Sequence, residues 1–146
     1  MSDIQDIQFV SDLRTVVTRL VKKLRKESIT AHQLSLTERS TMGLLLQQGS
    51  LLPSELAEME KITNQSMSQI LAHLLELGFI TRTNSETDKR KVLISLTAAG
   101  HELITKMHNE RDEWLAGAIS QACTPEDQEL LKKAIGPLTK LVDFKQ

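Results

Sequence analysis

The sequence predicts a mainly α-helical protein with one small β-hairpin. Apolar residues recur every three or four positions over most of the 146 residues, which is the spacing of one face of an α-helix. The exception is Phe79–Leu96, where two short runs containing β-branched residues flank the polar loop Thr83–Lys91. Helix-start signals divide the rest of the chain into segments, and they lie at Ser35, Thr63, Thr97 and Thr124.

The composition is that of an ordinary globular domain, with 40% hydrophobic and 25% charged residues. The sequence contains no run of about 18 apolar residues, the length needed to cross a membrane. The start of the chain also lacks the basic-then-apolar layout of a secretory signal. The single cysteine, Cys123, cannot form an internal disulfide, so we expect a cytoplasmic location. The net charge is −1, but Asp12–Lys26 and Arg82–Lys91 are rich in basic residues, which favours a basic face.

The first two predicted helices differ in length. Residues 4 to about 27 form an amphipathic helix, because an apolar stripe with helical spacing runs along them. The stripe consists of Leu13, Val17, Leu20 and Leu24. A capping box of Ser35 and Glu38 then starts a short helix that ends at Gly49, with Thr37 as an alternative cap.

Two further helices, joined by only about three residues, are predicted at the centre of the chain. Pro53 suits the first turn of the first helix, Thr63 can cap the second, and Gly78 ends it. Ala57 is small enough for the two helices to approach closely, and Ile62 can fill the corner between them. The inner face of the second helix is apolar and consists of Met67, Ile70, Leu71, Leu74 and Leu77.

A hairpin and two more helices complete the prediction. The strands of the hairpin are Phe79–Arg82 and Val92–Leu96. Thr97 then caps a long helix, and a last helix has Pro125 at its first position with acidic residues in its first turn. We expect Gly136–Pro137 to kink this last helix.

The order of short helix, tight link, second helix and hairpin is that of a winged helix-turn-helix, in which the second helix enters the major groove of DNA. Its predicted outward face carries amides, hydroxyls and an imidazole, from Asn64, Gln65, Ser66, Ser68, Gln69 and His73. Asn and Gln can bond adenine bidentately, and Ser can bond several groups. These side chains are therefore candidate DNA-binding residues, although polar residues also cover the outer face of any surface helix.

The loop Thr83–Lys91 is predicted to be the wing, a hairpin tip that projects beyond its strands. It carries Lys89, Arg90 and Lys91, and Arg is the side chain best suited to a narrow minor groove. Asp88 would repel phosphate unless it were paired, so we expect it to orient Arg90 or another nearby Arg. A merely solvated hairpin tip would explain why the loop is charged. It would not explain why the loop is long or why the charge at its end is positive.

Two stretches carry motifs of a known family. The stretch "DKRKVLISLTAAG" fits the pattern D-x-R, a five-residue strand, then L-T-x-x-G, with Asp88, Arg90, Leu96, Thr97 and Gly100 in place. Upstream, "SELAEMEKITNQSMSQILAHLLELGFITR" resembles the helix pair and first strand of the MarR family of bacterial transcription regulators. The resemblance covers nearly the whole chain, including flanking helices of the right lengths.

The resemblance implies a homodimer that binds a palindromic operator in double-stranded DNA, usually as a repressor and often released by a small ligand or by oxidation. It implies a dimerisation helix and connector at 1–34, the winged DNA-binding domain at 35–100, and C-terminal dimerisation helices at 101–146. By position, Ser54 could contact a phosphate. No cofactor is implied, and any small-molecule effector is unnamed. Trp114 could line a ligand cavity, although core or dimer interface is the plainer interpretation.

The chain also departs from the family pattern. Many relatives have basic residues where this chain has Gln69, Ala72 and His73, and Thr63–Gly78 contains no Lys or Arg. We therefore expect the wing, together with the basic side of the first helix, to supply most of the attraction for phosphate. Affinity for DNA at physiological salt is expected to be modest.

Other chemistry is not expected. No catalytic arrangement is visible, and no His–carboxylate pair is evident in a cleft, so the chain is not predicted to be an enzyme. His101 and His108 lie about 10 Å apart along one helix, too far to share a metal, and His32 and His73 have no evident partner. Cys123 is interpreted as a packing residue, with a redox role or an intersubunit disulfide as the alternative.

Two other functions fit the same features. One is a winged helix whose polar helix binds a partner protein, and the other is a small-molecule-binding module with weak DNA contact. Salt dependence separates the first of these from DNA binding, because binding to phosphate weakens steeply as salt rises.

Overall fold

Helices dominate the computed structural model, which describes residues 4–27 and 34–146. The described elements, in chain order, are α1 (Ile4–Lys26), α2 (Leu36–Gln48), β1 (Ser50–Leu51), α3 (Pro53–Glu60), α4 (Asn64–Glu76), β2 (Ile80–Asn84), β3 (Val92–Leu96), α5 (Ala98–Ala122) and α6 (Pro125–Asp143). Of the predicted connector at 28–34, only Leu34 lies within the described residues, and His32 lies outside them. The chain divides into two units, one of residues 1–27 with 111–146 and the other of residues 28–110.

The sheet has three strands, one more than the sequence predicts. Strand β3 lies in the middle and pairs antiparallel with both β2 and β1. In β1, Ser50 pairs with Ser95, and the hydroxyl oxygens of these two residues lie 2.6 Å apart. A two-residue strand is too short to show an alternating pattern, so the sequence alone does not reveal it.

The hairpin extends further toward its tip than predicted. Strand β2 begins at Ile80 and continues to Asn84, which pairs with Val92. Thr83 and Asn84 are polar and exposed, so hydropathy alone assigns them to the loop, although their backbones pair with β3. The tip beyond the last strand pair is therefore Ser85–Lys91, and it is closed by a backbone hydrogen bond from the Ser85 N–H to the Lys91 carbonyl at 2.9 Å.

One apolar core holds the second unit together. Its fully buried side chains come from α2, α3, α4, β3 and the first part of α5, and the largest are Met42, Leu45, Leu56, Met67, Leu71, Leu74, Ile94, Ile104 and Met107. Burying one such side chain contributes about 1.5–3 kcal/mol. The core therefore fixes which face of each of these helices points outward.

The predicted caps are present. The Ser35 hydroxyl accepts the backbone N–H of Glu38 at 3.1 Å, and a Glu38 carboxylate oxygen accepts the N–H of Ser35 at 2.9 Å. Thr63 accepts the N–H of Ser66 at 3.0 Å at the start of α4. Between α3 and α4, Lys61 adopts a left-handed backbone with φ 56° and ψ 44°, and the link between the two helices is three residues long, as predicted.

The last helix, α6, begins at the predicted cap and continues past the predicted kink. Thr124 caps its first turn, where Pro125 is the first helical residue. Pro137 lies inside the helix, which extends to Asp143. Within the described residues, no helix has both the length and the apolar character needed to span a bilayer.

Thr97 and Gly100 join the start of α5 to the turn that precedes β2. The Thr97 hydroxyl donates to the carbonyl oxygen of Gly78 at 2.6 Å and accepts the N–H of Gly100 at 3.1 Å. The Thr97 N–H also donates to the Phe79 carbonyl at 3.0 Å. A Cβ at Gly100 would lie 2.0 Å from the Phe79 carbonyl oxygen, so only glycine allows this approach. The L-T-x-x-G motif thus connects the start of α5 to the turn before β2.

Gly100→Ala should destabilise the protein. The added methyl group meets backbone, which cannot move aside as a flexible side chain can, and overpacking of this kind costs about 1–3 kcal/mol. Urea denaturation measures the change in the free energy of unfolding.

Gly117→Ala is the matched control, because Gly117 lies in the same helix and its added Cβ would meet no atom within 4 Å. This variant should gain up to about 1 kcal/mol from helix propensity. Equal stability of the two variants would contradict the role assigned to Gly100.

Candidate nucleic-acid interface

Helix α4 has a buried apolar row and an opposite polar face. Met67, Leu71 and Leu74 are buried, and Ile70 and Leu77 pack beside them against the core. At about 100° per residue, the positions opposite the buried row are Gln65, Gln69, Ala72 and Glu76. The outermost surface of α4 therefore carries two glutamine side chains and no basic residue.

The six candidate residues on α4 are all exposed, but they occupy three different positions around the helix. Helical spacing places Gln65 with Gln69 outward, Asn64 with Ser68 on one flank, and Ser66 with His73 on the other flank. Ser66 and His73, together with Gln69 at the edge of the outward face, line a shallow cleft whose other wall includes Ser35 and Glu38. All six residues were expected on one outward face.

His73 has a buried partner, which corrects the expectation that it has none. Its Nδ1 atom contacts the Oε2 atom of Glu38 in α2, and the two residues are 35 positions apart. The side chain of Glu38 is only 9% exposed, whereas that of His73 is 46% exposed. The expectation that no His–carboxylate pair lies in a cleft is therefore wrong. Only the local partner of Glu38, Ser35, could be foreseen from the capping-box spacing.

The pKa of the Glu38 carboxyl reflects opposing effects. Burial favours the neutral acid and would raise the pKa, but hydrogen bonds from the Ser35 backbone, from His73 and from the Ser35 hydroxyl favour the carboxylate, as does the charge of His73. The hydrogen bonds and the charge together prevail, so the pKa of Glu38 lies below its ordinary value of 4.5.

The wing tip is built on Asp88. The Asp88 carbonyl accepts the N–H of Lys91 at 3.0 Å, and its Oδ1 atom accepts the backbone N–H of Arg90 at 3.1 Å. This side-chain-to-backbone bond lets an aspartate form a tight turn without glycine. The same Oδ1 atom accepts from the Nε atom of Arg90 at 3.2 Å, while the Arg90 side chain remains 91% exposed. Asp88 therefore both forms the turn and contacts the arginine that it was expected to orient.

The remaining candidate residues lie at exposed positions. Lys89 and Lys91 flank Arg90 on the wing tip, and both side chains are exposed. Ser54 lies in the first turn of α3, directly after Pro53, and is also exposed. All three could contact phosphate, since their side chains are open to solvent.

Cys123 is a free, half-buried thiol. Within the described residues, no group of three or more His, Cys, Asp or Glu side chains is arranged to hold a metal ion. Trp114 is half-buried and lines an open cleft with Val16, Arg19, Leu20 and Lys23.

Comparison with known proteins decides the family. Residues 34–92 match the model of the MarR family. A relative from Mycobacterium bovis, named as an uncharacterized HTH-type transcriptional regulator, is 31% identical over 94% of this chain and 95% of its own length. The chain belongs to the MarR family. The family resemblance expected from the wing and helix-pair motifs is confirmed.

Solved structures share the fold of this chain. A transcriptional regulator of Pseudomonas aeruginosa, whose crystal structure was solved at 2.4 Å, is 27% identical, with a TM-score of 0.82 over 98% of this chain and 100% of that one. A mutant of MepR from S. aureus, bound to an oligodeoxyribonucleotide, is 20% identical with a TM-score of 0.64 over 92% of this chain and 98% of that one, and shows the same fold. The predicted winged-helix fold and the function of this MarR-family chain as a DNA-binding transcription regulator are confirmed.

Stability should depend on Glu38 in acid. Because its pKa is lower in the folded than in the unfolded chain, its contribution is complete above pH 4.5 and is lost as the pH falls through the lowered pKa. Glu38→Gln cannot titrate, so the difference in urea midpoint between wild type and this variant should shrink between pH 7 and pH 3.

Glu58→Gln, which removes an exposed carboxylate from α3, serves as the control and should follow the wild-type pH profile. A difference between wild type and Glu38→Gln that stays constant over this range would contradict the assigned shift.

Proposed function

We propose that this MarR-family regulator binds a palindromic DNA operator as a cytoplasmic homodimer and acts as a ligand-responsive repressor. The observation that carries the DNA-binding part is the pairing of two features in one unit. An exposed polar face on α4 lies opposite a buried apolar row, and an exposed arginine stands at the tip of the hairpin. These are the two surfaces with which a winged helix-turn-helix contacts DNA.

Base reading is assigned chiefly to Gln65 and Gln69, because they point away from the core. The amide of Gln can donate to N7 and accept from the N6 amino group of one adenine, which is worth about 1–3 kcal/mol of discrimination. Asn64 and Ser68 lie on the neighbouring flank, where they can contact bases or sugar-phosphate at the edge of the groove. The absence of Lys and Arg from Thr63–Gly78 makes guanine contacts less important than adenine contacts.

The wing is assigned to the minor groove. Arg90 reads groove width and negative potential more than base identity, and the turn at Asp88 presents it away from the strands. Lys89, Lys91 and Ser54 supply phosphate contacts that position the domain without reading sequence. Since α4 itself lacks basic residues, a large share of the salt dependence of binding should arise from the wing.

Dimerisation is assigned to the unit that contains α1 and α6. Apolar side chains are exposed along both helices, and on α6 they include Leu130 at 66% and Val142 at 83% exposed. Exposed apolar patches of this extent are typical of interfaces. Lys133 lies on the opposite face of α6 from Ile135, Leu138 and Val142, so the helix has one side for a partner and one for solvent.

The cleft beside Trp114 is assigned as the effector site. Val16, Leu20 and Trp114 give it apolar walls, and Arg19 and Lys23 add two positive charges. This combination suits an amphipathic anion. Thermal shifts of the protein with aromatic and aliphatic carboxylates, compared with the Arg19→Ala and Lys23→Ala variants, test whether such molecules bind there.

Gln69→Ala should relax the preference for one or two base pairs of the operator without changing the salt slope, because no phosphate charge is removed. The measurement is titration against single-base operator variants at several salt concentrations. Gln47→Ala, which shortens an exposed glutamine in α2, is the matched control and should bind as wild type. Equal weakening on every sequence would mean that Gln69 positions α4 and reads no base.

Arg90→Ala should weaken binding to all operator variants and lower the salt slope by about one if Arg90 neutralises a phosphate. Asp88→Asn keeps an oxygen for the turn but loses the charge beside Arg90, whereas Asp88→Ala loses both. We therefore expect Asp88→Ala to lose more affinity for DNA than Asp88→Asn. Lys106→Ala, an exposed charge removed from α5, is the control. Tighter binding by Asp88→Ala would show that the carboxylate only repels DNA.

Ile135→Glu should shift the protein from dimer to monomer, because a charge would enter the apolar side of α6, where Ile135 is 64% exposed. Lys133→Glu adds the same side chain on the opposite face and should leave the dimer intact. Sedimentation velocity at micromolar concentration measures both. A wild-type protein that sediments as a monomer would overturn this part of the proposal.

A further inference from the structure

We propose that Glu38 and His73 form a clasp that fixes the orientation of α4 on DNA, which makes His73 a positioning residue and not a reader of bases. The proposal deepens the proposed function and rests on it, since it concerns the helix assigned to the major groove. It differs from the assignment by sequence pattern, in which His73 belongs to the base-reading face.

The first observation is where His73 lies on α4. It shares a flank with Ser66, while Gln65 and Gln69 point away from the core. Its Nδ1 atom is engaged by the Oε2 atom of Glu38, so the ring is held toward α2. Reaching a base edge would require His73 to leave that partner.

The second observation is that Glu38 is itself held. Its Oε1 atom accepts the Ser35 N–H, and its own N–H donates to the Ser35 hydroxyl. The carboxylate is nearly buried and has one oxygen for each helix: Oε1 caps α2, and Oε2 contacts α4. Glu38 therefore ties α4 to a fixed point at the start of α2.

The third observation is that the buried apolar row of α4 does not resist small rotations of the helix. Burial of Met67, Leu71 and Leu74 fixes which face of α4 points inward, but apolar contacts are non-directional and tolerate small rotations of the helix about its axis. A hydrogen bond on the flank resists rotation of the helix about its axis, because rotation would move His73 away from Glu38. Recognition requires geometry within about 0.5 Å and 10–20°, and Gln69 lies one turn before His73 on the same cleft. A small rotation would therefore misplace the adenine-reading amide.

The test compares His73→Ala, His73→Asn, Glu38→Gln and the double variant His73→Ala with Glu38→Gln. For each, operator affinity is titrated against single-base operator variants at several salt concentrations, and the melting temperature is recorded. His73→Asn places an amide N–H near the position of Nδ1 and is the rescue variant. Gln69→Ala is the reference for a residue that reads bases.

We expect His73→Ala and Glu38→Gln each to lose roughly tenfold in affinity for the operator, by a similar factor on every base variant and with an unchanged salt slope. Glu38 is too buried to touch DNA, so its effect on affinity must be indirect, and the double variant shows whether that effect passes through His73. The double variant should bind no worse than the weaker single variant, and His73→Asn should recover most of the affinity. Melting temperatures should remain above the assay temperature.

Four results would overturn the clasp while leaving the proposed function intact. Loss of preference at one base pair in His73→Ala would make His73 a reader, and a lower salt slope would make it a phosphate contact. Wild-type affinity in Glu38→Gln, or multiplied losses in the double variant, would show that the two residues act separately. If the wild-type protein itself binds no DNA sequence specifically, the proposed function fails, and the clasp fails with it.

Discussion

Burial of one face of α4 is the constraint on which the DNA-facing surface depends. Met67, Leu71 and Leu74 can be removed from water only if the opposite side of the helix points outward, and each contributes about 1.5–3 kcal/mol. That orientation brings Gln65 and Gln69 to the surface and sets the Ser66–His73 flank against α2. The outward polar face of α4 is thus a consequence of core packing, and the directional contact of His73 with Glu38 holds one flank of the helix toward α2.

The hairpin and α5 are tied to the same core by a second constraint. Thr97 bonds to Gly78 and caps the helix, and Gly100 allows the Phe79 carbonyl to approach the helix backbone. The wing is therefore anchored at its base, while the Asp88 turn determines its tip. The residues of the family motif fall into two groups: Thr97 and Gly100 connect α5 to the turn before β2, and Asp88 and Arg90 form the exposed tip of the wing.

The features that could be predicted from the sequence are those determined by near neighbours. The caps at Ser35 and Thr63 act over three residues, and the apolar row of α4 follows helical spacing, so both were predictable. The pairing of β1 with β3 and the contact of Glu38 with His73 join residues far apart in the chain, and no local pattern reveals either one. The six polar residues of α4 were predicted as exposed, and helical spacing alone divides them into an outward pair and two flanks. Only the structure shows which flank lies against α2.

We propose that the outward face of α4 reads a two-fold symmetric DNA sequence mainly through contacts with adenine. Selection of bound molecules from random duplex DNA tests it most directly, because palindromy and base preference emerge from the selected sequences even when the operator is unknown. We expect enrichment of an inverted repeat whose half-sites contain required A·T pairs, with the two half-site centres about one helical turn apart or a multiple of it. Enrichment of half-sites defined by G·C pairs alone, or no enrichment at all, would contradict it.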